Sequence, residues 1–132
     1  MTYKSVPGSA IPFRWMPPEA LEKRRFSEAS DVWSFGVTAW ELLTDGKLPY
    51  AFIQGDEEVA QRVCSGQRPP RPISGCPDGL WRIVEACWAQ NPKGRPRFSS
   101  LASELGHLQS PVVIPRTRRP SSPRFLPGAR GM

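Results

Sequence analysis

The sequence predicts an all-α fold, a helical body followed by a disordered, basic, proline-rich tail. Three observations carry this reading. Apolar residues recur at helical spacing in several separate stretches, and no alternating run is long enough for a strand. The last 22 residues hold five prolines and five arginines but no acid, a composition that cannot offset its own ordering entropy by burial. At 132 residues, a single domain with a core of modest size is expected.

Each element has a local justification. Met1 to Arg14 carries Pro7, Gly8 and Pro12 among scattered apolar residues and reads as an extended loop. Pro17-Pro18 precedes Glu19-Ala20-Leu21, and proline is tolerated in a first helical turn, so a short helix starts there. The strongest helix runs from Ser30 to Leu43, with Ser30 or Asp31 as N-cap and Asp45-Gly46 as the stop. Val32, Trp33, Phe35, Val37, Ala39, Trp40, Leu42 and Leu43 cover it nearly all round, which predicts a helix buried in the middle of the domain. Asp56 to Cys64 places three acids in its first turn, where the helix dipole favours them, and Gly66 ends it. Residues 67–77 are an irregular proline-rich connector, with Pro69-Pro70-Arg71-Pro72 rigid within it. Asp78 to Ala89 carries Leu80, Ile83, Val84, Cys87 and Trp88 on one face, and Asn91-Pro92 breaks it. Ser99 or Ser100 caps a last helix bearing Leu101, Leu105 and Leu108.

Charge and cysteine usage narrow the function classes. Residues 1–110 hold 13 basic and 12 acidic side chains, so nearly all of the formal +6 belongs to Arg116, Arg118, Arg119, Arg124 and Arg130. A folded cationic face is not what this distribution describes, and no nucleic-acid partner is expected. No stretch approaches the ~20 apolar residues of a membrane span, and the N-terminus lacks a signal-peptide pattern. Cys64, Cys76 and Cys87 are an odd number without C-x-x-C spacing, and His107 is the single histidine. They read as packed, reduced thiols of a cytoplasmic protein, with no metal site.

Four strings of residues, taken in order, resemble a known family. Pro12-Phe13-Arg14-Trp15-Met16-Pro17-Pro18-Glu19, Ser30-Asp31-Val32-Trp33-Ser34-Phe35-Gly36-Val37, Cys87-Trp88 and Arg95-Pro96-Arg97-Phe98 resemble the C-terminal lobe of a protein kinase, most closely the tyrosine kinases. The resemblance covers about residues 3 to 108. It divides the chain into residues 1–16, the end of an activation segment with its substrate-docking loop; residues 17–109, the helical lobe; and residues 110–132, the tail.

The resemblance implies residue roles. Pro17-Pro18-Glu19 stands where kinases carry Ala-Pro-Glu, whose glutamate pairs with the arginine that here is Arg95; a buried carboxylate needs such a bidentate partner. Asp31 matches an aspartate that accepts backbone N–H groups from the catalytic loop, and taken alone it is also a good N-cap. Trp33, Phe35, Trp40 and Trp88 are expected in the core. Ser34-Phe35-Gly36 echoes Asp-Phe-Gly but lies inside a helix and is not a magnesium site. Pro12, Phe13, Arg14 and Trp15 match the loop that docks the substrate. The seven-residue step from Gly8 to Trp15 and the string Pro-x-Arg-Trp favour tyrosine over serine, because Pro12 offers a flat apolar face to a phenol ring. A tyrosine-kinase-like Ser/Thr enzyme is the alternative, and Pro12 alone reads as a turn proline. Tyr3 stands where the family carries its activation-loop tyrosine, whose phosphorylation adds charge that arginines can pair; without the resemblance it is an unremarkable exposed tyrosine.

The parts that move a phosphate are missing from this sequence. A Gly-rich loop, the strand lysine, His-Arg-Asp and Asp-Phe-Gly are all absent, there is no G-x-G, and Leu108 follows His107. All of them would lie N-terminal to Met1. The chain therefore carries no cofactor of its own, while ATP and Mg are implied for a complete parent. Two readings follow. One is a fragment of a tyrosine kinase acting on protein tyrosine, in the cytoplasm or on the cytoplasmic side of a membrane receptor. The other is a non-catalytic pseudokinase or scaffold fragment working through protein contacts. Pro111 to Pro127 could also dock on an SH3-type domain as polyproline II. Because the central helix lacks the segments that wall it in within the family, the chain is expected to expose apolar surface.

Overall fold

The computed structural model describes residues 12–109. Tyr3 and the tail from residue 110 onward lie outside the described residues. Five α-helices form the body, and no strand occurs among the described residues: α1 Pro18–Lys23, α2 Glu28–Leu43, α3 Asp56–Cys64, α4 Asp78–Ala86 and α5 Phe98–Gln109. Short 3₁₀ turns at Phe13–Trp15 and Pro92–Gly94 precede α1 and α5. The all-α expectation is borne out.

The core forms around α2. Val32, Trp33, Val37 and Trp40 of this helix meet Val59 and Val63 of α3, Trp81, Ile83 and Val84 of α4, and Leu101 of α5. Helix α4 joins α2 and α5, while α1 sits against α3. Gly36 sets the α2–α4 distance. A Cβ there would stand 2.7 Å from Trp88 Nε1 and 2.8 Å from Cys87 Cβ, closer than atoms can pack, so only glycine allows this approach.

Several boundaries differ from the sequence expectation, each for a visible reason. Helix α2 begins at Glu28, with Ser27 as N-cap in place of Ser30 or Asp31. The Ser27 N–H donates to Ser30 Oγ at 2.7 Å, a reciprocal box that uses Ser30 inside the first turn. Helix α4 ends at Ala86, not Ala89, because the Trp88 carbonyl accepts from Arg68 Nε at 3.0 Å and the Ala89 carbonyl from Arg95 Nε at 2.9 Å. Helix α5 begins at Phe98, so Ser99 and Ser100 lie within it. Its first N–H donates to Glu28 Oε2 at 3.0 Å, a cap supplied from α2. Helices α1 and α3 have the expected starts, and α1 stops at Arg24 in the left-handed region, φ 57°.

Burial of α2 on every face is the expectation that fails. Asp31, Phe35, Thr38 and Leu42 fall on one stripe and are all exposed, Phe35 by 38 % and Leu42 by 77 %. Phe35 is therefore not core. It makes an edge-on contact with Phe98, centroids 6.0 Å apart. Apart from this contact with the start of α5, the core residues of the other elements pack on the opposite side of the helix, so Leu42 faces solvent.

Opposite effects are expected from two glycine-to-alanine changes. Gly36→Ala overpacks the α2–α4 contact and should cost about 1–3 kcal/mol. Gly106→Ala, on α5 with nothing within 4 Å of the new Cβ, should stabilise by about 0.5–1 kcal/mol. Urea midpoints of the two variants against the parent chain give the comparison.

Candidate functional site

The segment at residues 12–19 crosses the end of the body, and three polar clamps hold it there. The first is Arg95. Its Nη1 and Nη2 donate to Glu19 Oε2 and Oε1 at 2.8 and 2.9 Å, while Nη1 also donates to the Ala29 carbonyl at 3.0 Å. The Arg95 side chain is 0 % exposed and that of Glu19 14 %. One guanidinium thus ties α1, the start of α2 and the loop after α4, and it lies 4.9 Å from the Trp33 ring centroid.

Arg14 is the second clamp. Its Nη1 donates to the Pro49 and Tyr50 carbonyls at 2.9 and 2.8 Å, and Nη2 to the Ile53 carbonyl at 3.1 Å. Asp56 Oδ1 stands 3.5 Å from its Nε. Those carbonyls belong to a tight turn in which Tyr50 is held at φ 57°, an outlying conformation for a bulky residue. The guanidinium gathers them together and so stabilises the turn.

The third clamp joins the 3₁₀ turn to α2. Trp15 Nε1 donates to Glu41 Oε1 at 2.8 Å, and Ser34 Oγ donates to the Trp15 carbonyl at 2.7 Å. Trp15 also packs against the core. Arg14 and Trp15 spend their polar groups on internal bonds; Pro12 is exposed, and Phe13, like Arg14 and Trp15, is half-buried.

The structure thus brings Glu19 and Arg95 together and places Pro12 to Trp15 beside them. Asp31 lies on the exposed stripe of α2, and Tyr3 is outside the described residues. Sequence reasoning missed Glu41, Ser34, Asp56 and Arg68. Arg68 sits 4.5 Å over the same Trp33 ring and donates to the Val63 and Trp88 carbonyls; burial lowers its pKa. The one available signal was Glu41, an acid in the otherwise apolar last turns of α2.

No group of three or more His, Cys, Asp or Glu side chains converges among the described residues. The cysteines are free, and burial pushes the thiols of Cys64 and Cys87 up to about 11, which keeps them protonated and unreactive near neutral pH. Among the described residues no helix is long and apolar enough to cross a membrane.

A buried arginine closing a glutamate onto the end of an N-terminal segment, on a helical body built around an apolar α2, is the architecture of a kinase C-lobe. Residues 1–105 match the family model for protein tyrosine and serine/threonine kinases, and the chain belongs to that family. It is 50 % identical over 96 residues to "Inactive tyrosine-protein kinase 7" of Gallus gallus, covering 73 % of this chain and 9 % of the relative. The Homo sapiens protein of that name is 47 % identical over the same length. "Putative neurotrophin receptor LTRK 1" of Lymnaea stagnalis is 42 % identical over 115 residues, 85 % of this chain and 14 % of the relative. The chain therefore spans about a tenth of the length of these relatives.

Two measurements check the clamps. Arg95→Ala or Glu19→Ala should each cost about 3–5 kcal/mol, because the surviving charge is left buried and unpaired; denaturant titration reads this. Glu28 gives a pH signature. The Phe98 N–H, and then the Arg97 guanidinium, hold its carboxyl below the usual glutamate value. A depressed folded-state pKa contributes stability that is present above the unfolded value, about 4.3, and is lost as pH falls through the folded one. Glu28→Gln should therefore weaken the acid dependence of the melting temperature below that pH and lower stability at neutral pH.

Proposed function

We propose that this chain is the substrate-docking half of a protein tyrosine kinase domain, presenting Pro12 and Phe13 to a peptide that carries the acceptor tyrosine. The observation that carries the reading is the orientation of the loop. Arg14 and Trp15 are consumed by internal bonds, which leaves Pro12 and Phe13 as the apolar surface on a rigid base. In this reading Arg14, Trp15, Glu41 and Ser34 are positioning residues, and Asp31 receives the catalytic loop of a complete domain. ATP and Mg belong to that complete parent, on the cytoplasmic side of any membrane, where Tyr3 is the modifiable residue of the activation segment. The segment Pro111–Pro127, where an SH3-type partner is expected, lies outside the described residues.

A second reading has a specific observation behind it: two of the relatives above are named as inactive kinases. In that case the same surface serves protein association without phosphate transfer.

The two readings separate by experiment. A tyrosine peptide titrated into the full chain should shift the Trp15 indole N–H resonance, and Phe13→Asp should weaken that response about tenfold without changing the helical circular dichroism. Loss of the response when the peptide tyrosine becomes alanine supports substrate docking. A response indifferent to the tyrosine supports the association reading, and no response with any peptide overturns the docking role. With the full chain as sole protein, radiolabel from ATP should not appear on the peptide.

A further inference from the structure

An apolar groove opens beside the Tyr50 turn, and none of residues 12–19 lines it. Trp40 and Leu43 of α2, Tyr50 and Phe52 of the turn, and Pro70 and Pro72 of the connector form its walls around about 900 Å³. The connector wall is fixed. Trp40 Nε1 donates to the Pro70 carbonyl at 2.6 Å, and Arg71 Nη2 donates to the Cys76 carbonyl at 2.8 Å and to Asp78 Oδ1 at 2.6 Å. A wall already held in place loses little freedom on binding. Apolar side chains project around the hollow: Leu48 is 48 % exposed, Phe52 59 % and Ile73 101 %. Apolar surface gathered in this way marks a place of protein contact. Asp45 and Lys47 also line the groove. Both are exposed, and neither side chain has an ion-pair or hydrogen-bond partner among the described residues.

We propose that the occupant is a second copy of this chain, joined as a symmetric dimer through this groove. The surface carries both halves of a contact: a hollow with apolar side chains projecting beside it, and one unpaired charge of each sign. A groove built for an acidic or a basic partner would carry a single sign, whereas this one is complementary to its own image. A two-fold axis passing between Asp45 and Lys47 sets Asp45 against the partner's Lys47, and the reverse pair forms in the same step. That operation also offers Ile73 of each copy to the other's hollow. Arg71 does not upset the balance of charge, because Asp78 holds it. Each contact occurs twice, so a modest patch on one copy gives a measurable association.

Sedimentation equilibrium of the full 132-residue chain tests this. The mass should rise with concentration from 14.8 kDa to a plateau at twice that value. Ile73→Asp, at a fully exposed position that the fold does not need, removes an anchor from both copies. At about tenfold for each anchor, the association constant should fall about a hundredfold with circular dichroism unchanged. Lys47→Glu sets acid against acid twice and should weaken association about tenfold. Adding Asp45→Lys exchanges the signs and should restore it; a basic residue can take the left-handed backbone of Asp45, as Arg24 does at φ 57°. A chain that stays monomeric to millimolar concentration, or a mass that climbs past the dimer without a plateau, would overturn the assignment. So would an association indifferent to Ile73→Asp, or a double variant of native circular dichroism no better than Lys47→Glu alone.

Discussion

The structure depends on the guanidinium of Arg95. It is completely buried, and a buried cation is tolerated only when its donors are matched. The match here is nearly complete: both oxygens of Glu19, the carbonyls of Ala29 and Ala89, and the π face of Trp33. These partners come from three places in the chain, α1, the first two turns of α2 and the loop after α4, so the arginine can be satisfied only when all three are assembled. An apolar contact tolerates sliding, but this constellation does not. It therefore fixes the register of α1 against α2 and of the loop after α4 against both. Arg68 adds a second cation on the same indole, and it takes the Trp88 carbonyl just past the end of α4 and the Val63 carbonyl in the last turn of α3.

The segment at residues 12–19 inherits its rigidity from this arrangement. Glu19 anchors the end of the segment, and Arg14 and Trp15 anchor its middle to two different supports, the Tyr50 turn and α2. Tyr50 shows what this rigidity costs. Its backbone is left-handed and its hydroxyl is buried without a partner, two unfavourable features at one residue. Burial also raises its pKa, so the phenol stays neutral. Arg14 offsets the strain by bonding the carbonyls that the turn brings together. A turn held in this way presents Pro12 and Phe13 in one orientation, which a loop secured by apolar packing alone would not.

Sequence reading reached the helices wherever the signals were local. Helix α3 was legible at both ends because three acids open it and Gly66 follows it. The start of α2 was not, because Ser30 looks like a cap and acts instead as the inner half of a box with Ser27. The end of α4 and the start of α5 involve Arg68 and Glu28, side chains from segments 20 and 70 residues away, a long-range effect that no spacing encodes. The same divide runs through the site. Glu19 and Arg95 are 76 residues apart, and only family resemblance pairs them. Arg14 read as a substrate contact because the family motif names the position and not the direction of the side chain. Glu41 and Ser34 gave no motif at all.

The uneven dressing of α2 follows from these clamps. One flank carries Trp33, Val37 and Trp40 under the other helices, with Gly36 pressed on Trp88. The opposite flank shows Phe35 and Leu42 to solvent. An isolated amphipathic helix would have polar residues on that flank. Apolar residues there mean that the sequence of α2 suits contact on both sides, while the described body supplies only one. The Arg95 clamp acts wholly on the supplied side, so that half keeps its register whether or not the other is covered. Asp31, on the uncovered flank, is thus held in place by a helix whose position is already fixed. The bonds that hold residues 12–19 all lie on that supplied side, an arrangement consistent with both functional readings.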